Sequence, residues 1–369
     1  MAISMDAAAW KRLAEWVKHG LSDNPTAAIE LSASAETQEV TLRVVGDTVA
    51  RAHANGDVAE DLDVAVPGKL FAELLRHVAA GVVTVQRHEE GNQLTVTSGR
   101  STFTLPLATA QQVTVTQPDA FGEIDTAAFA AAVAQVAPSA DLSGGALSAV
   151  LVSPDADAGM LTLVATNRYR MAVAHVPYTP AAGSDDEDLL ISAKALAGQV
   201  KAVKSDTVTL QRRDGVYGFT GAGHSIHGRL VSGAYAPWER AMSMADNATT
   251  TVTVSAADLL GAVKRCSLVA NMGAADAAPG LFELSSGNLR ITAGDGQFGE
   301  AEETVAVQQT GDDLSVRMNM EYVVAGLHAA ADADVTFQLS GPQRAVLMST
   351  VPDGDGEQPF RYLIMPLAS

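Results

Sequence analysis

Four sets of residues in this 369-residue chain have types and spacings that could do chemistry. His224 and His227 stand three apart in GHSIHG and could offer two imidazoles to a metal. The surrounding pattern alternates as a strand does, however, and positions i and i+3 of a strand point to opposite faces, so one ion cannot take both. Gly294-Asp295-Gly296-Gln297-Phe298-Gly299 fits the GxGxxG of dinucleotide sites, where the glycines open a helix that receives a pyrophosphate. Here EAEETVAV follows, a strand pattern, so a hairpin turn is expected instead. Cys266, the single cysteine, has no evident histidine partner and can form no internal disulfide; its expected place is a helix face in the core. No catalytic constellation remains, so the chain is expected not to be an enzyme and to use no cofactor or metal.

The fourth set is basic and suits binding rather than reaction. Lys11 and Lys18, Lys69 and Arg76, and Lys194 and Lys201 are each seven residues apart, nearly two helical turns, which puts each pair on one helix face. Apolar stripes lie opposite: Phe71, Leu74, Leu75 and Val78 in one segment, Leu196, Val200 and Val203 in another. Six helix windows (6–20, 67–80, 126–138, 192–204, 255–271 and 319–331) contain ten Lys or Arg against five acids. The ten are these six with Arg12, Lys204, Lys264 and Arg265. The net charge of −19 therefore divides into +5 on the helices and −24 elsewhere. Windows 126–138 and 319–331 carry no Lys or Arg, so the stripe is incomplete. Solvated lysines are common on any single amphipathic helix. Their recurrence on separate helices of an otherwise acidic chain points to a surface for a polyanion backbone.

The elements that must position these residues recur three times. Helix-like segments open at Asp6, Asp125 and Ser255, and second ones near Pro67, Ser192 and Asn319. Each second helix is followed by an alternating strand: VVTVQ, DTVTLQ, DVTFQL. A repeat of about a third of the chain is a whole domain, since solenoid units run only ~20–50 residues. The length gives room for about three such domains. Polar stretches near 112–120 and 243–250 place the boundaries, giving domains 1–118, 119–247 and 248–369, each helix, strands, helix, strands. No run of ~18 apolar residues exists to span a bilayer. The start MAISMDAAAWKR shows no secretion signal, so the expectation is a cytoplasmic protein without membrane contact.

TLVATNRYRMAVAHVP, RLVSGAYAPWERAM, LRITAGDGQFGEAEETV and the terminal RYLIMPL together resemble the bacterial β sliding clamps, the beta subunits of DNA polymerase III. The resemblance spans nearly the whole chain and is weakest before residue 60. It implies an α+β DNA clamp fold: three similar domains, each with two helices on antiparallel sheets, ring-forming as a head-to-tail homodimer around duplex DNA. It implies a processivity factor that reads no sequence and tethers the replicative polymerase, the clamp loader and repair proteins through short peptide motifs. The DNA-facing residues would be Lys11, Arg12, Lys69, Arg76, Lys194, Lys201, Lys204, Lys264 and Arg265. The dimer seam would set Phe103 and Leu105 against Leu268 and Val269. The partner-peptide pocket would involve Leu147, Thr166, Arg168, Tyr169, Arg170, Met171, Arg240, Val346, Leu363, Ile364, Met365, Pro366 and Leu367.

Four positions depart from the family pattern. Ala236 stands where a proline is usual, Asn167 where an acid is usual, Asn24 where an arginine is usual, and Ala368-Ser369 ends a chain that more often closes on a basic residue. These departures point to an alternative: a divergent actinobacterial or phage copy that confers tolerance to a clamp-directed inhibitor, and so antibiotic resistance. A scaffold that never touches DNA is a further alternative.

Overall fold

In the computed structural model, three helices open on a side-chain cap that the sequence supplies: Asp6, Asp125 and Asn319. The structure describes all residues except 1, 22–26, 47, 89–91, 111–116, 246, 274–277, 295–298, 332, 353, 355–357 and 368–369. Asn24, Ala368, Ser369 and the middle of the Gly294–Gly299 segment lie outside the described residues. Seven α-helices are present among those described: α1 (Ala7–Val17), α2 (Gly68–His77), α3 (Thr126–Val136), α4 (Ala193–Ala202), α5 (Trp238–Met242), α6 (Ala256–Gly273) and α7 (Met320–Ala330). The Asp6 carboxylate accepts from Ala8 N at 2.7 Å, Asp125 from Ala128 N at 2.8 Å, and the Asn319 amide oxygen from Glu321 N at 2.9 Å. Each cap satisfies a backbone donor that the first helical turn leaves unpaired.

The chain forms two compact units, and its middle third contributes to both. The first comprises 1–129, 178–185 and 195–230. It holds a five-stranded sheet ending in the edge strand Ser101–Pro106, and a nine-stranded sheet in which His224–Arg229 pairs with Thr48–Asn55. Its core gathers Trp10 of α1 and Phe71 of α2, edge to face at 6.5 Å, over the buried Val83, Val85 and Leu94. The second unit comprises 130–177, 186–194 and 231–369. Its nine-stranded sheet joins Arg170–Pro177 to the terminal strand Arg361–Ile364, with Met171 opposite Leu363. A four-stranded sheet ends at the edge strand Glu300–Ala306. Leu259, Val263 and Cys266 of α6 are buried there with Val323 and Leu327 of α7. All strand pairings among the described residues are antiparallel.

The amphipathic reading of the helices has a direct structural counterpart. Phe71, Leu75 and Val78 are buried while Lys69 and Arg76 are exposed; Leu196, Val200 and Val203 are buried while Lys194, Lys201 and Lys204 are exposed. Strand Asn288–Gly294 pairs antiparallel with Glu300–Ala306, Gly294 opposite Glu300, so a strand and not a helix follows the glycine-rich segment. His224 packs edge-on against Trp16 at 4.5 Å, and His227, three residues further along the strand, is buried. No cluster of three metal-ligating side chains occurs among the described residues.

Candidate functional site

An open cavity of ≈ 470 Å³ lies in the second unit, lined by Leu147, Thr166, Arg168, Arg170, Met171, Ala236, Pro237, Arg240, Ala241, Met244, Leu363 and Met365. Its floor is a core cluster of Leu151, Val164, Met171, Val173, Leu347 and Leu363, against which Tyr235, Trp238 and Met365 pack half-buried. One wall is the turn between strands Met160–Thr166 and Arg170–Pro177; a second is α5; a third is the terminal strand.

The turn is built by its own side chains. Thr166 Oγ1 donates to Arg170 O at 2.7 Å and accepts from Arg168 N at 3.1 Å. The Asn167 amide oxygen accepts from Tyr169 N at 3.1 Å and Arg170 N at 3.0 Å, and its Nδ2 donates to the Tyr322 hydroxyl at 3.4 Å. Arg168 takes a left-handed φ of 77° at the tip, a conformation that costs a residue with a Cβ about 1 kcal/mol or more and that the surrounding bonds hold in place. Two guanidiniums then diverge. Arg168 reaches outward, 3.9 Å from Asp141, whose carboxyl the Ser143 hydroxyl and amide hold below its usual range. Arg170 turns inward: its guanidinium sits 4.7 Å over the Tyr322 ring, Nη1 donates to the Tyr362 hydroxyl at 3.4 Å, and Nη2 donates to Pro138 O. Arg170 Nε is buried with no hydrogen-bond partner among the described residues. Tyr235, driven upward in pKa by burial, stays a neutral donor and gives its hydroxyl to Val164 O at 3.2 Å.

Eight of the residues expected at this pocket line it: Leu147, Thr166, Arg168, Arg170, Met171, Arg240, Leu363 and Met365. Val346 and Ile364 do not reach it. They are register partners, both fully buried, and alternation along the strand turns them to the opposite face from Leu347 and Leu363. Tyr169 is exposed beyond the rim; Pro366 and Leu367 continue past it, with Leu367 N donating to Arg317 O at 2.8 Å. Ala236, the departure noted at the pocket's proline position, and the adjacent Pro237 line it as well. Ala241 and Met244 are lining residues that sequence reasoning missed; the short α5 was the signal, since Arg240, Ala241 and Met244 fall within about one turn.

Such a cavity has an apolar floor and cationic or backbone polar groups at its margin. It suits anchoring of an apolar side chain carried on a polar main chain.

The C-terminal domain of the DNA polymerase III beta subunit, as a family, matches residues 244–368, and the central domain of the same subunit matches 123–237. A beta sliding clamp of Micrococcus luteus is 30% identical over 300 residues, 79% of this chain and 94% of its own length. The chain belongs to the beta sliding clamp family. The clamp of Streptomyces coelicolor is 28% identical, with 95% of each chain covered. The clamp homolog GriR of Streptomyces muensis is 24% identical over 95% of both. Among solved structures, a Pseudomonas aeruginosa clamp bound to griselimycin superposes with a TM-score of 0.87 at 19% identity, all of both chains covered, a likeness of fold.

In clamp terms the second feature is the basic helix surface. Arg12, Lys69, Arg76, Lys194, Lys201, Lys204, Lys264 and Arg265 are exposed and Lys11 is half-buried. Arg76 and Arg265 are held by carboxylates: Arg76 by Glu15 and Glu73, Arg265 by Glu303. At the residues expected to form the clamp's dimer seam, Phe103 is 43% and Leu268 71% exposed, and Val269 is half-buried. Leu105 lies in the core opposite Leu94, whereas Phe103, two residues earlier on the same face of this edge strand and opposite Val96, is left open. Met272, one turn beyond Leu268, is 67% exposed and extends the same apolar face.

Proposed function

We propose that this clamp is the processivity subunit of a replicative DNA polymerase, without a catalytic site of its own. Two copies join head to tail, and three domains per copy (1–118, 119–247 and 248–369) close a ring on duplex DNA. The helix cations meet phosphates and leave base edges unread, so the ring slides; the −24 carried by the rest of the chain disfavours DNA elsewhere. The edge strands Ser101–Pro106 and Glu300–Ala306, with Phe103, Leu268 and Met272 uncovered beside them, suit two equivalent head-to-tail seams, each joining different patches of the two copies. The cavity takes the apolar anchor of a short peptide from polymerase, clamp loader or repair protein, and the protein works in the cytoplasm.

The observation that carries this reading is the cavity, because Thr166, Arg170, Leu363 and Met365 come from the two segments matched to the family's central and C-terminal domains. Loading onto nicked plasmid, beside a solution mass measurement, tests it. The expected result is a dimer that co-elutes with the circle and is lost on linearisation. Reversal of Lys11, Lys69, Lys194 and Lys201 together should abolish retention, and a monomer indifferent to linearisation would refute the ring. Likeness to GriR and the altered pocket residues Asn167 and Ala236 favour a second reading, a divergent copy tolerant of an inhibitor. Titration with a clamp-binding peptide and with griselimycin separates the two: tight peptide binding beside weak griselimycin binding supports the divergent copy.

A further inference from the structure

The basic helix faces are not uniformly available. Glu15 on α1 pairs with Lys18 one turn on, and also with Arg76 Nε on α2 at 2.9 Å; Arg76 Nη1 meets Glu73 at 2.8 Å. Two cations and two carboxylates close a neutral network across the surface of α1 and α2. On α6, Arg265 gives both sides of its fork to Glu303, with Nε to Oε1 at 2.6 Å and Nη2 to Oε2 at 3.0 Å. By contrast, no ion pair among the described residues holds Lys11, Arg12, Lys194, Lys201 or Lys264. Partial burial of Glu15 acts against its charge, but the Lys18 hydrogen bond and the charges of Lys18 and Arg76 hold its carboxyl below the usual range. Every member remains open to solvent, so a phosphate can approach it.

We propose that Glu15, Glu73 and Glu303 are competing intramolecular anions: they occupy Lys18, Arg76 and Arg265 until a DNA phosphate displaces them, and they weaken each such contact by the pair it breaks. This rests on the helices facing DNA. A sliding protein must exchange phosphates continually. Where a carboxylate re-occupies the cation as a phosphate departs, the step swaps one ion pair for another and leaves no bare charge behind. The unpaired lysines supply the attraction; the paired arginines supply contacts that release readily. A bidentate carboxylate matches the guanidinium fork as a phosphate does, so the two compete for the same donors.

The test uses full-length Glu15→Gln/Glu73→Gln and Glu303→Gln, with Glu36→Gln/Glu60→Gln as a control that removes two exposed charges with no ion pair among the described residues. Affinity for a labelled linear duplex is followed by fluorescence anisotropy across a salt titration, and thermal melts check the fold. Binding strength falls with salt by roughly 0.9 in logarithmic slope for each phosphate neutralised. The network variant, freeing Lys18 and Arg76, should therefore steepen the slope by about 1.8 and bind several-fold tighter at low salt. Glu303→Gln should add about 0.9. Network variants that follow the control overturn the proposal. Lys194→Glu/Lys201→Glu in the same assay separates the two failures. If that reversal leaves wild-type-like binding, the DNA-facing reading itself is wrong; if it weakens binding while the network variants match the control, only the competing anions are.

Discussion

Asn167 shows how much of the cavity's form rests on single side chains. Its amide oxygen accepts two backbone N–H groups and its nitrogen reaches Tyr322, so it sets both the turn and the turn's height above α7. Asn167→Ala should cost about 1–2 kcal/mol in chemical denaturation, because two donors lose their acceptor. It should also weaken peptide binding, since Arg168 and Arg170 are no longer aimed. Asn167→Asp keeps both acceptances and lets the Tyr322 hydroxyl turn donor, so its stability should lie within about 0.5 kcal/mol of the parent. The motif made Thr166, Arg168, Arg170 and Met171 legible as pocket residues. What it could not show is that Arg170 works from beneath, stacked on Tyr322, because that partner lies more than a hundred residues on and approaches only through tertiary packing.

Helix positions, at the scale of elements, follow local chemistry closely. Asp6, Asp125 and Asn319 cap the starts that their identity suggests, and the apolar stripes fix which face turns in. Strand faces are less accessible from sequence, as Leu363 and Ile364 show: both are apolar and buried, and only the register with Leu347 and Val346 decides which one reaches the cavity. Helix α7 meets the terminal strand through Gly326, where an added Cβ would fall 2.6 Å from the Tyr362 ring. Gly326→Ala should therefore destabilise the fold by about 1–3 kcal/mol through overpacking, although alanine is the better helix former by about 1 kcal/mol. The displaced Tyr362 should also loosen Arg170, lowering peptide affinity in the same variant. A stabilised protein would show that the close approach is relieved by a small helix shift.

For the whole molecule, acid sensitivity follows from four imidazoles, His227 buried and His19, His175 and His224 half-buried. Burial lowers His19, His175, His224 and His227 below the ordinary value of 6.5. The unfolded chain then takes up more protons than the folded one below that value, so stability is complete above about pH 6.5 and falls as the pH drops through it. Glu39, where hydrogen bonds from His53 and Thr41 outweigh partial burial, extends the loss below 4.5. Melting temperatures taken from pH 8 down to 5 should hold level and then decline; a midpoint that rises on acidification would contradict the burial of these rings. Charge at this scale is divided, helices basic and the remainder acidic, but the ion pairs of Arg76 and Arg265 show that a formal count overstates the cations on offer.

Composition, period and capping residues by themselves determined three recurring helix–strand sets, the basic faces and the absence of a bilayer-spanning run, because each depends on neighbours within a few turns or on totals. Tertiary structure alone decided that the middle third is shared between two compact units, that Leu105 is covered while Phe103 stays open, and that Glu15 reaches Arg76 across two helices. Those outcomes depend on contacts between residues far apart in the chain, which no local pattern of residue types encodes.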